Sequence, residues 1–276
     1  MSVPVEDTLE LVPLRGRDDL VDQVLAPAIH GLWPTFMHDP MAELYFKALG
    51  AMAPGFEAYR DTAFAVVERG RPDVAVGRAC ALPFAWAGIP GREALPDAGW
   101  DGVIRWAAVD HAIGRAPDTL SALEITLLPA HRGRGGAAVV LDALRRCAAE
   151  RGLRHMVAPV RPTGKAAEPL TPMQYYAYRV RPDGLPADPW LRVHIRAGGR
   201  IEKMAPLSQT IPGTLAQWRD WTGLPFDTTG PVLASGALAP VYCSVEHDYA
   251  VLVEANIWVR HVVPHMTTRD RERALV

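Results

Sequence analysis

Apolar positions along the chain switch between a period of two and a period of three to four, and the switches predict an ordered series of strands and helices. Thr8–Leu14 alternates as a first strand, and Asp18 stands as an N-cap before a helical stripe of Leu20, Val21, Val24, Leu25 and Ile29 that ends near Pro34. Trp33–Pro40 reads as a loop with large side chains and Met41–Met52 as a second helix. Ala63–Glu68 and Val74–Leu82 form two strands joined by a turn at 70–73. The stretch from about 85 to 117, broken by Pro/Gly turns and carrying a short helix at Trp100–Val109, reads as an insertion.

Thr119–Leu128 is an apolar strand with one acid, Glu124; a sharp break at 129–136 leads into a helix that Gly152 closes. His155–Val160 is a short buried strand, followed by a loop and a short helix at Met173–Tyr178. Farther on, the segment 189–204 reads as a hairpin around Gly198 and Gly199, and a helix before Gly223 follows. Strands are expected at Leu238–Val245 and Tyr249–Val259. In the last, Glu254, Asn256, Trp258 and Arg260 share one face and Val253, Ala255, Ile257 and Val259 the other. The pattern predicts an α/β fold: residues 1–184 as a core with its insertion, and 185–276 as a β-rich extension in the same compact unit.

Composition narrows the partners. The 29 basic and 31 acidic residues leave a net charge of −2, so no basic field points to nucleic acid, and no apolar run reaches the roughly 20 residues of a membrane helix. Without a signal-like N-terminal segment, a cytoplasmic protein is expected. Cys80, Cys147 and Cys243, few and far apart, fit reduced thiols, and the absence of HxH or CxxC spacing predicts no metal.

Chemistry concentrates at His131-Arg-Gly-Arg-Gly-Gly-Ala137, between a strand and a helix. A helix N-terminus offers unpaired N–H groups and a partial positive charge, glycines allow a ligand's phosphates to come close, and Arg132 and Arg134 add donors. The Lys-Ser/Thr ending of a P-loop and the GxGxxG of a dinucleotide fold are both missing. Arg132-Gly-Arg-Gly135-Gly-Ala137, after Pro129, resembles the R/Q-x-x-G-x-G/A signature of the GNAT acyltransferase superfamily, and from Leu9 to about Tyr178 the element order is similar too.

That resemblance implies a mixed sheet opened into a V between two central strands. It implies acetyl-CoA or another acyl-CoA held through its pyrophosphate by Arg132, Gly133, Arg134, Gly135, Gly136 and Ala137, and through its pantetheine by a bulge at Leu127 and Leu128. Two departures stand out. Many members place an asparagine and then a tyrosine after the splayed strand, where this chain has Arg161-Pro-Thr-Gly-Lys165; its C-terminal third is also longer.

Acyl transfer to an amine needs a base and often an acid. Glu124, the lone charge in its strand, is either that base, its pKa raised by burial, or the partner of an arginine on the back of the sheet. Tyr175 and Tyr178, three apart, are candidate acids if they share a face toward the cleft, and core residues otherwise. His194 and His247 are alternative bases or hydrogen-bonded structure. Acceptor contacts are expected from Trp33, Phe36 and His38 in the first loop, where Trp33 and Phe36 could instead staple helices together, and from Glu254 and Trp258. The expectation is an enzyme that moves an acyl group from acyl-CoA to an amine or hydroxyl of a small molecule, with a homodimer plausible. The alternatives are a GNAT-fold hydrolase, decarboxylase or binding protein, and a module without a ligand.

Overall fold

In a computed structural model that describes residues 9–38, 41–43 and 57–264, the strands join one mixed sheet. They are β1 (Leu9–Pro13), β2 (Ala63–Glu68), β3 (Arg71–Phe84), β4 (Thr119–Leu127), β5 (His155–Val160), β6 (Arg200–Gly213), β7 (Gly230–Val232), β8 (Val241–Ser244) and β9 (Tyr249–Val262). The order runs β1-β2-β3-β4-β5-β9, with every contact antiparallel except β4 with β5. β6 lies along one edge of β9, so β5 at 257–262 and β8 at 249–251 must share the other edge.

Seven α-helices have both ends among the described residues: α1 (Asp18–Leu25), α2 (Pro27–His30), α3 (Gly99–Ala112), α4 (Gly136–Glu150), α5 (Met173–Tyr176), α6 (Pro189–Arg196) and α7 (Leu215–Thr222); residues 41–43 are helical as well. None is long and apolar enough to cross a membrane. The stripe expected to run unbroken to Pro34 is interrupted at Ala26, whose extended backbone precedes Pro27. The helix expected over Met41–Met52 lies outside the described residues from position 44 onward. The hairpin expected over 189–204 is instead α6 followed by β6. Asp188 accepts hydrogen bonds from the amides of Trp190 and Leu191, both 2.9 Å, and Pro189 takes the first turn, so the local chemistry starts a helix.

Alternation along the strands sends apolar side chains to both faces. Val140, Leu141 and Leu144 of α4 pack with Leu120, Ala122, Met156 and Val259 on one face. On the other, Val21 and Val24 of α1 and Val103 and Ile104 of α3 pack with Ala65, Cys80, Leu82, Val157 and Trp258. A third cluster, with Phe36, Trp218, Phe226 and Leu252, closes the region of β7, β8 and α7.

A buried histidine pair joins α6 to β9: His194 Nδ1 and His261 Nε2 lie 2.9 Å apart and share one hydrogen. Burial holds the His194 ring well below its ordinary pKa and, with Arg145 nearby, brings His261 down to about 4. Because the folded-state values are depressed, the neutral rings stabilise the fold above the unfolded value near 6.5, and that contribution is lost as pH falls toward 4. His261 alone is expected to remove about 3 kcal/mol over that window, read as a falling denaturation midpoint, and leucine at both positions should flatten the profile.

Candidate active site

β4 and β5 pair only at Thr119–His155, Leu120–Met156 and Ser121–Val157, after which β4 runs on to Leu127 and β5 to Val160 without bonding. The V expected between the central strands is therefore present. A parallel pair separated in this way leaves backbone groups on both walls for a ligand to engage.

The glycine loop stands at the α4 face. Gly135 caps α4 in the left-handed conformation, φ 86°, and no side chain caps that helix, in contrast to α6 and α7. The amides of Gly133, Arg134, Gly135, Gly136 and Ala137 donate to no acceptor among the described residues, while Ala138 and Val139 already bond to the Gly135 carbonyl. Five successive N–H groups left open at a helix start have the chemistry to receive the oxygens of a pyrophosphate. Arg132 Nε donates to the Leu127 carbonyl at 2.7 Å, bracing the end of β4. The Arg134 side chain is exposed.

Valine at Gly135 would have to adopt a left-handed conformation that costs a non-glycine residue about 1–2 kcal/mol, and the loop would rearrange to avoid it. A loss of CoA affinity of roughly tenfold is expected by calorimetry. Unchanged affinity in a folded variant would dissociate the loop from CoA.

The bulge is not at Leu127 and Leu128, which stay in register: Leu127 pairs with Gly77, and the Leu128 amide donates to Val76 at 2.9 Å. It lies farther back, where Ala122 faces Ala81 and Glu124 faces Cys80, so that Leu123 is extra. Strict alternation from Leu120 and Ala122 would put Glu124 on the α4 face. The bulge turns it to the opposite face, beside Cys80 and under α1.

There Glu124 is no isolated carboxylate. Its Oε1 accepts from Arg78 Nε at 3.0 Å and Nη2 at 2.8 Å, from Trp33 Nε1 at 2.9 Å and from Thr126 Oγ1 at 2.5 Å. Oε2 receives no hydrogen bond from the described residues and is not fully enclosed. Arg78, fully buried, also donates to the Val24 carbonyl at 3.0 Å and lies 3.3 Å from His30 Nδ1. The His30 and His38 rings stack at 4.0 Å, 12° from parallel. Burial first, then the neighbouring His38 and Arg78, brings His30 down to about 4, and burial lowers His38 as well.

Trp33 bridges to the other wall: the Arg161 guanidinium lies 5.8 Å from its ring centre. Arg161 follows β5 and donates from Nε and Nη2 to the two oxygens of Glu254, at 2.7 and 2.9 Å. Its Nη2 also reaches the Gly236 carbonyl at 2.6 Å, and the Leu238 amide donates to Glu254 at 2.7 Å.

The structure thus gathers Glu124, Trp33, His38 and, through Arg161, Glu254 around the open V, and directs the remaining candidates elsewhere. Phe36 is core, 5.6 Å from Trp218. Trp258 is buried and donates to the Pro96 carbonyl at 2.9 Å, so the expected polar face of β9 is enclosed from Glu254 to Trp258, while Arg260 stays partly exposed. His194 is taken by His261, and His247 Nδ1 pairs with Ser244 Oγ at 2.9 Å in the turn before β9. Tyr175 and Tyr178 are exposed, at 67% and 53%, because α5 buries Met173 and Tyr176 instead, with Tyr176 donating to Asp188 at 2.9 Å.

Arg78, Thr126, His30 and the role of Arg161 were not assigned from sequence. Two signals existed: Arg78 is the lone charge in the apolar run 74–82, and Thr126 stands two residues from Glu124 on the same side of the strand.

No family model matches the chain. An arginine N-acetyltransferase of Aspergillus versicolor, avaD, is 31% identical over 271 residues, 90% of this chain and 92% of that protein. Among solved structures, the loading GNATL domain of CurA from Lyngbya majuscula superposes with a TM-score of 0.55 at 15% identity, over 94% of this chain and 98% of that one. The GNAT-like decarboxylase GphF in complex with isobutyryl-CoA gives a TM-score of 0.48 at 16% identity, over 93% and 99%.

Proposed function

This chain belongs to the GNAT superfamily and is an acyl-CoA-dependent N-acyltransferase acting on a small molecule, and on that premise we propose that it moves an acetyl group to a nitrogen of an arginine-type acceptor. The observation that carries the reading is the placement of Glu124. Its free Oε2 sits on the face opposite the glycine loop, with the open V between β4 and β5 connecting the two sides. The acyl donor then enters from the α4 side and the acceptor from the α1 side. The name of the Aspergillus relative supports the arginine class.

In this scheme the lone pair of the neutral nitrogen forms a bond to the thioester carbonyl carbon, the carbon–sulfur bond breaks, and CoA leaves as the thiolate, which takes its proton from solvent. The proton lost by the nitrogen passes to Glu124 Oε2, while Oε1 stays fixed by its four donors, so Arg78, Trp33 and Thr126 orient the base. None of Tyr175, Tyr178 and His194 takes part. The assay is thiol release from acetyl-CoA with arginine, agmatine and argininamide, with mass spectrometry of the product. Release no faster than in buffer for all three would refute the arginine class.

A further inference from the structure

Arg161 offers a feature that catalysis does not use. Glu254 and Gly236 occupy its Nε and Nη2, whereas Nη1 has no partner among the described residues and is not fully enclosed. The side chain is 17% exposed while Glu254, beneath it, is 0% exposed. A buried carboxylate therefore holds the guanidinium rigid, with one nitrogen left open on a side chain that lies over the Trp33 ring. The same Trp33 donates to Oε1 of Glu124, the carboxylate whose Oε2 receives no hydrogen bond among the described residues.

One indole thus separates a free anionic oxygen from a free guanidinium edge. Resting on the acyl-transfer reading above, we infer that the acceptor is a free α-amino acid whose carboxylate is received by Arg161 Nη1 while its reacting, nitrogen-bearing end faces Glu124. Charge supports the pairing. Arg78 with Glu124 and Arg161 with Glu254 each pair one positive with one negative group, so each half of the site is internally balanced. A molecule carrying both signs matches both free groups, and a carboxylate on a guanidinium is a strong, directional pair. Trp33 adds an apolar floor for the intervening methylenes.

The test compares kcat/KM for L-arginine, argininamide and agmatine in the wild-type enzyme and in an R161Q/E254Q double variant, which removes both charges and leaves no buried carboxylate uncompensated. L-arginine is expected to exceed the other two by tenfold or more, chiefly through KM, and the double variant should bring the ratio toward one. Equal use of argininamide or agmatine by the wild-type enzyme overturns the assignment while leaving N-acetylation of arginine-type acceptors intact. Transfer to none of the three overturns both. Equal use of the three by the wild-type enzyme overturns the assignment even if the double variant fails to fold.

Discussion

Methionine in place of Arg78 is expected to lower folding stability by about 3–5 kcal/mol, the usual result of leaving one member of a buried ion pair without its partner. The side chain is 0% exposed and supplies two hydrogen bonds to Glu124 and one to the Val24 carbonyl. Methionine fills much of the same volume, so the loss is electrostatic rather than a cavity. For a chain of this size the melting temperature should fall by roughly 6–20 °C. The double variant R78M/E124M, which removes both charges, should recover most of the stability. If the single change costs under about 1 kcal/mol, the carboxylate is far better solvated than the fold implies.

Glu124→Gln should lower kcat by about 10²–10⁴, the span that a positioned base contributes. CoA affinity should stay within about twofold, since the glycine loop belongs to the α4 face and Glu124 to the other. Glutamine also leaves the Arg78 charge unbalanced, so Glu124→Asp separates the effects. Aspartate keeps the charge but shortens the arm, and it should preserve most of the stability while still slowing transfer. Steady-state rates with matched melting curves provide the measurement. Full activity in E124Q would reduce Glu124 to a counter-ion for Arg78.

How much of this was legible in the sequence follows from the reach of each interaction. The glycine loop is local: Gly133 to Ala137 declare a helix start and its free amides within a few residues. The alternation of β9 was local as well, and Ile257 and Val259 do face the core with α4. The direction of Glu124 was not. It depends on one extra residue, Leu123, and only the register with β3 reveals that. Trp33 meets Glu124 across 91 positions and His194 meets His261 across 67, distances over which spacing carries no signal. The segment 189–196 was ambiguous for a different reason. Its apolar residues satisfy both periods, and the Asp188-Pro189 start that decides for a helix carries more information than the alternation does.

β9 also governs when the molecule can come together. It joins β5, β6 and β8, yet it is the last of the described strands, with 88 positions between the end of β5 and its start. At roughly 5–20 residues per second, a nascent chain waits several seconds with β5 made but unpaired on that side. Until then the outer wall of the V is an open edge, ready to pair with other chains. Slow translation through the 160–250 region would lengthen that exposure, making soluble yield sensitive to codon choice there and to chaperones that shield strand edges.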